Sequence, residues 1–236
     1  MKVYAIADLH LPLGVDKPMD IFGGWDNYVN RLHDNWQRKV RADDIVIIPG
    51  DISWALKLED TFNDFEFIQK LNGTKIIIKG NHDLWWSTRS KVVKFWNDNG
   101  FDSLHLIQND HFKIGSKGIC GTRGWINDNS EPADAKVIAR EAIRLDLSVK
   151  SAVDAGLDPV VFLHYPPVYA NICNYDMLEV LHKYNVKHCF YGHLHGNTHA
   201  FAINATRDNV SYQLVSADFL QFDPMDITKI VQNDNL

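Results

Sequence analysis

The sequence predicts an α/β layered domain whose central portion is largely parallel sheet. Two observations predict it. Short runs rich in Val, Ile and aromatics recur at strand length, and helical patterns separate the early ones. A third observation speaks to function: polar residues able to bind metal or move protons sit directly after those runs. The 236 residues suit one domain, 1–236, large enough to bury a core without disulfide staples. Hydrophobic residues make up 45% and charged residues 23%, which excludes a disordered, collagen-like or coiled-coil chain.

Taken in order, KVYAIA precedes Asp8, DIVIIP precedes Gly50-Asp51, and TKIIIK precedes Gly80-Asn81. Further on, PVVFL precedes His164 and VKHCFY precedes Gly192-His193. Each has the length and β-branched content of a buried strand. From Asp26 to Arg41, apolar residues fall at Tyr28, Val29, Leu32, Trp36 and Val40, a helical spacing. Glu59–Leu71, Thr88–Asn99 and Ala133–Val153 read as helices on the same ground. After His195, HAFAIN and VSYQLV alternate around Arg207-Asp208-Asn209, predicting a β-hairpin in a second sheet. Leu11–Trp25 holds two prolines, three glycines and no period. It reads as an active-site loop insertion, because so long a structureless segment inside a domain is usually functional.

Charge and cysteine usage narrow the class. The chain carries 30 acidic and 24 basic residues, net −6, with the signs mixed. A long nucleic-acid footprint needs clustered Lys and Arg, so none is expected. A small phosphorylated partner remains compatible. No apolar run approaches the roughly 18 residues of a membrane helix, and Asp8 interrupts any signal-peptide core, so a cytoplasmic, non-membrane chain is expected. Cys120, Cys173 and Cys189 are odd in number and lack CxxC spacing, as reduced structural thiols would. Oligomeric state has no signature here.

The strand ends carry Asp8, His10, Asp51, Asn81, His82, His164, His193 and His195. Open α/β sheets bind ligands outside the carboxyl ends of their strands. Singly, each motif is ordinary: a cap, a turn or a strand-end histidine. Five strand ends bearing such residues together are not. Carboxylate, amide oxygen and imidazole suit Mn, Fe, Zn or Co, while so many histidines argue against calcium. Leaving His82 aside, seven ligands exceed what one ion with an open position can use. Two ions sharing a carboxylate would use them all and clamp a phosphoryl group between attacking and leaving oxygens.

In order and position, Asp8-x-His10, Gly50-Asp51, Gly80-Asn81-His82-Asp83, His164 and Gly192-His193-x-His195 resemble the calcineurin-like metallophosphoesterases, from residue 3 to about 200. The resemblance implies a four-layer α/β/β/α sandwich with mixed central sheets. It implies two divalent ions, of Mn, Fe or Zn, and a bridging hydroxide as nucleophile. Asp8, His10 and His195 would hold one ion, Asn81, His164 and His193 the other, with Asp51 bridging. His82 would face the scissile ester without ligating metal.

The resemblance has a gap. Protein phosphatases of this superfamily continue Gly-Asp-x-x-Asp-Arg-Gly, and this chain has Trp54-Ala55 in place of Asp-Arg. A phosphate-binding arginine and the acid orienting the catalytic histidine are therefore missing. Asp83, or another acid, would take over part of the orienting role, and Arg123, in Gly121-Thr122-Arg123-Gly124-Trp125, reads either as a replacement clamp or as one half of a surface salt bridge. Trp54 and Trp85, with Trp86, follow metal motifs; they read first as core or rim packing and, as the alternative, as an aromatic wall at the substrate. The expected substrate is a small phosphodiester or nucleotide-like ester. The alternatives are a phosphomonoesterase or protein phosphatase and, further off, a nuclease-like phosphodiesterase or a non-catalytic partner-binding scaffold.

Overall fold

In the computed structural model, which describes residues 1–125 and 135–232, the β-branched runs become strands of two sheets. The first holds β1 (Val3–Ala5), β2 (Ile45–Pro49), β3 (Thr74–Ile78) and β4 (Leu104–Leu106), parallel and in that order. The second contains β5 (His111–Ile114), β6 (Lys117–Thr122) and β7 (Asp158–Leu163). After a small hairpin of β8 (Val168–Tyr169) and β9 (Ile172–Cys173), it resumes with β10 (His188–Tyr191), β11 (Thr206–Arg207) and β12 (Val210–Leu214). Its spatial order is β11-β12-β10-β7-β6-β5, parallel from β6 to β12 and antiparallel at both edges. The last strand, β13 (Met225–Asp226), returns to the first sheet and runs antiparallel to β1.

Period-two alternation splits each strand between two cores. Val3, Ala5, Ile45, Ile47, Ile76 and Ile78 turn toward the second sheet and meet Ile119, Val160, Phe162 and Phe190. The alternate residues Tyr4, Val46, Ile48 and Ile77 pack under α1 (Tyr28–Lys39), α2 (Phe62–Lys70) and α3 (Arg89–Asp98). On the far side, Cys120, Val161, Leu163, Cys189 and Tyr191 pack under α4 (Ala135–Asp154) and α5 (Tyr175–Lys183). The layers therefore run α/β/β/α. A short α6 (Thr228–Gln232) adds Val231 to the middle layer. All three cysteines are free, and among the described residues no helix is long and apolar enough to cross a membrane.

The expected helices lie within about two residues of their predicted ends, except that Glu59–Thr61 forms a 3-10 turn before α2, and residues 133–134 fall outside the described residues. HAFAIN does not form the expected strand. Gly196–Phe201 is a 3-10 turn, and β12 pairs instead with Thr206–Arg207, across Asp208 and Asn209 at positive φ. One local and one long-range hydrogen bond accompany this. The His195 N–H donates to Thr198 Oγ1 at 2.9 Å, and the Gly196 N–H donates to Asp218 at 3.0 Å, so the chain curls as soon as it leaves His195.

The two sheets are stitched where the motifs lie. Ala7, just past β1, donates to Val215 O at 2.7 Å and accepts from the Ala217 N–H at 2.9 Å. This joins the end of β1 to the chain leaving β12. Strand ends from separate sheets, three from the first and two from the second, thereby converge on one place.

Candidate functional site

The loops after the strands hold unusual backbone. Asp8, His10, Asp51 and His193 have φ of 61°, 45°, 53° and 73°, in the left-handed region that non-glycine residues rarely adopt. Such conformations persist only where surroundings over-determine them, and they concentrate at functional sites. Gly50, at φ 96°, is needed for room as well: a Cβ there would lie 2.6 Å from His164 Nδ1.

Asp8, Asp51 and His164 are fully buried, His10 nearly so, and His195 is partly open. His10 Nε2 lies 3.3 Å from His195 Nε2 and 3.7 Å from Asp51 Oδ2. His164 Nε2 lies 3.4 Å from Asp51 Oδ2 and 2.5 Å from Asn81 Oδ1, which is 3.1 Å from His193 Nδ1. Asp8 Oδ1 lies 3.5 Å from His164 Nδ1 and 3.8 Å from His195 Nε2. Asp8, His10 and His195 each offer a ligand atom within 4.8 Å of the others, as do Asp8, Asp51 and His164, so either group could hold a metal ion.

The donor set fits a cation. Burial and neighbouring imidazoles hold His10 and His164 well below the usual histidine pKa, hence neutral. With His164 Nδ1–H donating to Pro49 O at 3.2 Å, its Nε2 lone pair faces the oxygens of Asp51 and Asn81. In that tautomer the His164 Nε2 lone pair and the oxygens of Asp51 and Asn81 converge on one place, as ligands to a cation would. Burial pushes Asp8 up to about 7, and a cation beside it reverses that penalty.

Asp218, which no motif marks, completes the set. His195 Nδ1 donates to its Oδ1 at 2.9 Å, turning the Nε2 lone pair toward His10. Carboxylates behind metal-binding imidazoles set tautomer and ring angle. Asp218→Asn is expected to lower Mn²⁺ affinity by about 10–100-fold, read by calorimetric titration, with the fold retained.

Several expected residues lie elsewhere. Asp83 does not orient His82. Its carboxylate is occupied by the N–H groups of Asp51 (3.0 Å), Ile52 (2.8 Å) and Gly80 (2.7 Å) and by the Trp85 indole N–H (3.0 Å). It ties two site loops together from below. Asp83→Ala leaves those donors buried and unpaired, at about 1–3 kcal/mol each. Urea denaturation should show a loss of at least ~3 kcal/mol. Trp85 is no wall of the substrate site: Asp83 holds its indole, and its ring packs edge-on against Phe65 at 5.1 Å, 2% exposed. Arg123 faces a different cavity, of about 190 Å³, where it shares the buried Glu141 with Arg144. Its side chain is ion-paired there, in a cavity lined by Lys79, Thr122, Glu141 and Arg144.

Trp54 does face the site. Its ring stacks on His10 at 4.6 Å and meets His82 at 4.5 Å, while Lys17 Nζ lies 3.3 Å over it. His82 donates its main-chain N–H to Asp51 Oδ1 at 2.8 Å, and its ring lines a cavity with His10 and His195. That cavity is built by the Leu11–Trp25 segment, which is fastened at both ends. Leu13 N–H donates to Asp64 Oδ1 at 2.8 Å, and Trp25 packs 5.7 Å from both His10 and His195.

Residues 1–197 match the family described as calcineurin-like phosphoesterase. Two solved structures share the fold. One is a protein of unknown function from Aquifex aeolicus, 16% identical, with TM-score 0.51 and 97% of each chain covered. The other is a phosphopantetheinyl hydrolase from Mycobacterium tuberculosis, 16% identical, with TM-score 0.52, covering 100% of this chain and 98% of that one. No curated protein matches this sequence. The family match spans the Asp/His groups between the two sheets, and those groups are of the kind that holds the divalent metals this family uses. The chain belongs to the calcineurin-like phosphoesterase family and is a hydrolase of phosphoester bonds.

Proposed function

We propose that residues 1–236 form one dinuclear metallophosphoesterase domain acting on small phosphodiesters. The carrying observation is the convergence of ligand atoms from Asp8, His10, Asp51, Asn81, His164, His193 and His195 between two sheet edges. Asp8, His10 and His195 hold one ion and Asn81, His164 and His193 the other, with Asp51 between; Mn, Fe or Zn suits this donor set. When bound, such a pair supplies Lewis acidity and a water of lowered pKa.

The chain's own groups supply the rest. His82 presents its ring to the cavity beside the ligands. Lys17, held over Trp54, takes the place of the absent arginine and brings positive charge toward the ester. A lone ammonium on a flexible stem clamps a dianion less well than a planar guanidinium fork. This favours a singly charged diester over a phosphoserine peptide. A phosphopantetheinyl hydrolase shares this fold, which agrees with hydrolysis of a phosphoester.

The test is hydrolysis of bis(p-nitrophenyl) phosphate by protein stripped with chelator and reloaded with Mn²⁺. Stripped protein should be inactive, reloading should restore turnover, and kcat/KM should exceed that for a phosphopeptide by at least about tenfold. Turnover indifferent to stripping, or a preference for the phosphopeptide, overturns the reading.

A further inference from the structure

The cavity under the Leu11–Trp25 segment has a volume of about 810 Å³. His10, His82 and His195 line it, so it opens directly onto the candidate ligands. Met19, Ile21, Phe22, Trp25 and Trp54 make its walls. Besides those histidines, Asp16 and Lys17 are the ionisable groups among its lining residues. Ile21 and Phe22 are 74% and 53% exposed. Two large apolar side chains thus stand in water beside the reacting centre, on a segment fastened at both ends.

The volume and chemistry together select an occupant. At about 30 Å³ per water, the space equals some two dozen waters, far more than a phosphate group fills. A peptide backbone laid there would bury amide groups against walls with few partners, at about 1–3 kcal/mol each. A nucleobase would lose the hydrogen bonds of its polar edge in the same way. An aliphatic chain loses nothing and covers Ile21 and Phe22.

We propose that this cavity takes the apolar arm of the substrate, so that the favoured substrates are phosphodiesters of an extended, largely aliphatic alcohol. The proposal rests on the hydrolase reading above. Water oxygen bonds to phosphorus, the phosphorus–oxygen bond to the arm breaks, and that oxygen leaves with a proton as the free alcohol. Lys17 marks the polar end of the cavity, where the phosphate sits.

Two measurements on Mn²⁺-loaded protein test this. One is calorimetric binding of ethyl-, butyl- and octylphosphonate. The other is alcohol release from methyl ethyl, methyl butyl and methyl octyl phosphate, below micelle-forming concentrations. Each buried methylene is worth up to about fourfold. Affinity and kcat/KM should both rise at least about thirtyfold from ethyl to octyl. The Ile21→Ser/Phe22→Ser variant, altered only at exposed positions, should flatten the rise to less than about fivefold. Hydrolysis of all three esters with no chain-length dependence overturns the proposal and leaves the hydrolase reading standing. Chain-dependent phosphonate binding without turnover of any ester removes the diester reading and leaves the cavity as an apolar-arm site. A full rise in the double variant overturns the assignment of the walls.

Discussion

Asp51→Asn is expected to lower phosphodiester hydrolysis by at least about 10³-fold and to reduce bound metal from near two ions per chain to one or fewer. The substitution keeps volume and shape and removes one negative charge. Its effect follows from position. Asp51 Oδ2 stands 3.7 Å from His10 Nε2 and 3.4 Å from His164 Nε2, one imidazole from each proposed ion site. An amide nitrogen in that place would aim hydrogens at lone pairs that a cation should meet. Losing several kcal/mol of charge stabilisation at a shared ligand corresponds to three or more orders of magnitude in rate. Elemental analysis after Mn²⁺ loading and dialysis gives the stoichiometry, and circular dichroism shows whether the fold persists. A folded Asp51→Asn protein that keeps two ions and most of its rate would dismiss Asp51 as the bridge. Asn81→Ala gives the contrast, since its amide oxygen approaches His164 and His193, both assigned to one ion.

Much of this site was legible because strand ends and turns are local features. A run such as DIVIIP followed by Gly50-Asp51 announces both the strand and the side of the sheet where its polar residue emerges. What was not legible depends on contacts distant in sequence. Asp218 reaches His195 only because the chain leaving β12 is stitched to the end of β1 through Ala7, and no spacing rule encodes that. Trp85 and Trp86 are adjacent and chemically identical, and no period in the sequence marks Trp85 as the one drawn inward. Asp83 beneath it decides, by accepting the indole N–H. Arg123 sits in a plausible glycine-flanked loop, yet Glu141, on a helix 18 residues further on, claims it. The three-residue β4 and two-residue β13 carry no readable period and exist because neighbouring strands supply their hydrogen bonds. The Leu11–Trp25 segment was conspicuous by length and composition, but its apolar inner wall appears only once both of its ends are fastened.

His82→Ala should lower kcat/KM by about 10²–10⁴-fold while leaving metal content unchanged, the usual span for one positioned proton donor or acceptor. The backbone of His82 is held through its own N–H to Asp51 Oδ1, a bond that alanine keeps, so the loop carrying Asn81 has no reason to move. The ring is what is lost, and it lines the cavity between Trp54, at 4.5 Å, and His10, at 5.7 Å. Partial desolvation and the charge of Lys17 lower its pKa in the free protein, and a bound phosphate anion opposes that shift, favouring the imidazolium that can hand its proton to the leaving oxygen. That role has a signature that metal binding lacks. An alkoxide leaving group needs a proton as its bond to phosphorus breaks, whereas p-nitrophenolate departs unaided. The loss in His82→Ala should therefore fall mainly on alkyl esters and shrink to about tenfold or less for bis(p-nitrophenyl) phosphate. Equal losses for both classes would make His82 a group that positions the phosphate, and depleted metal would make it a ligand.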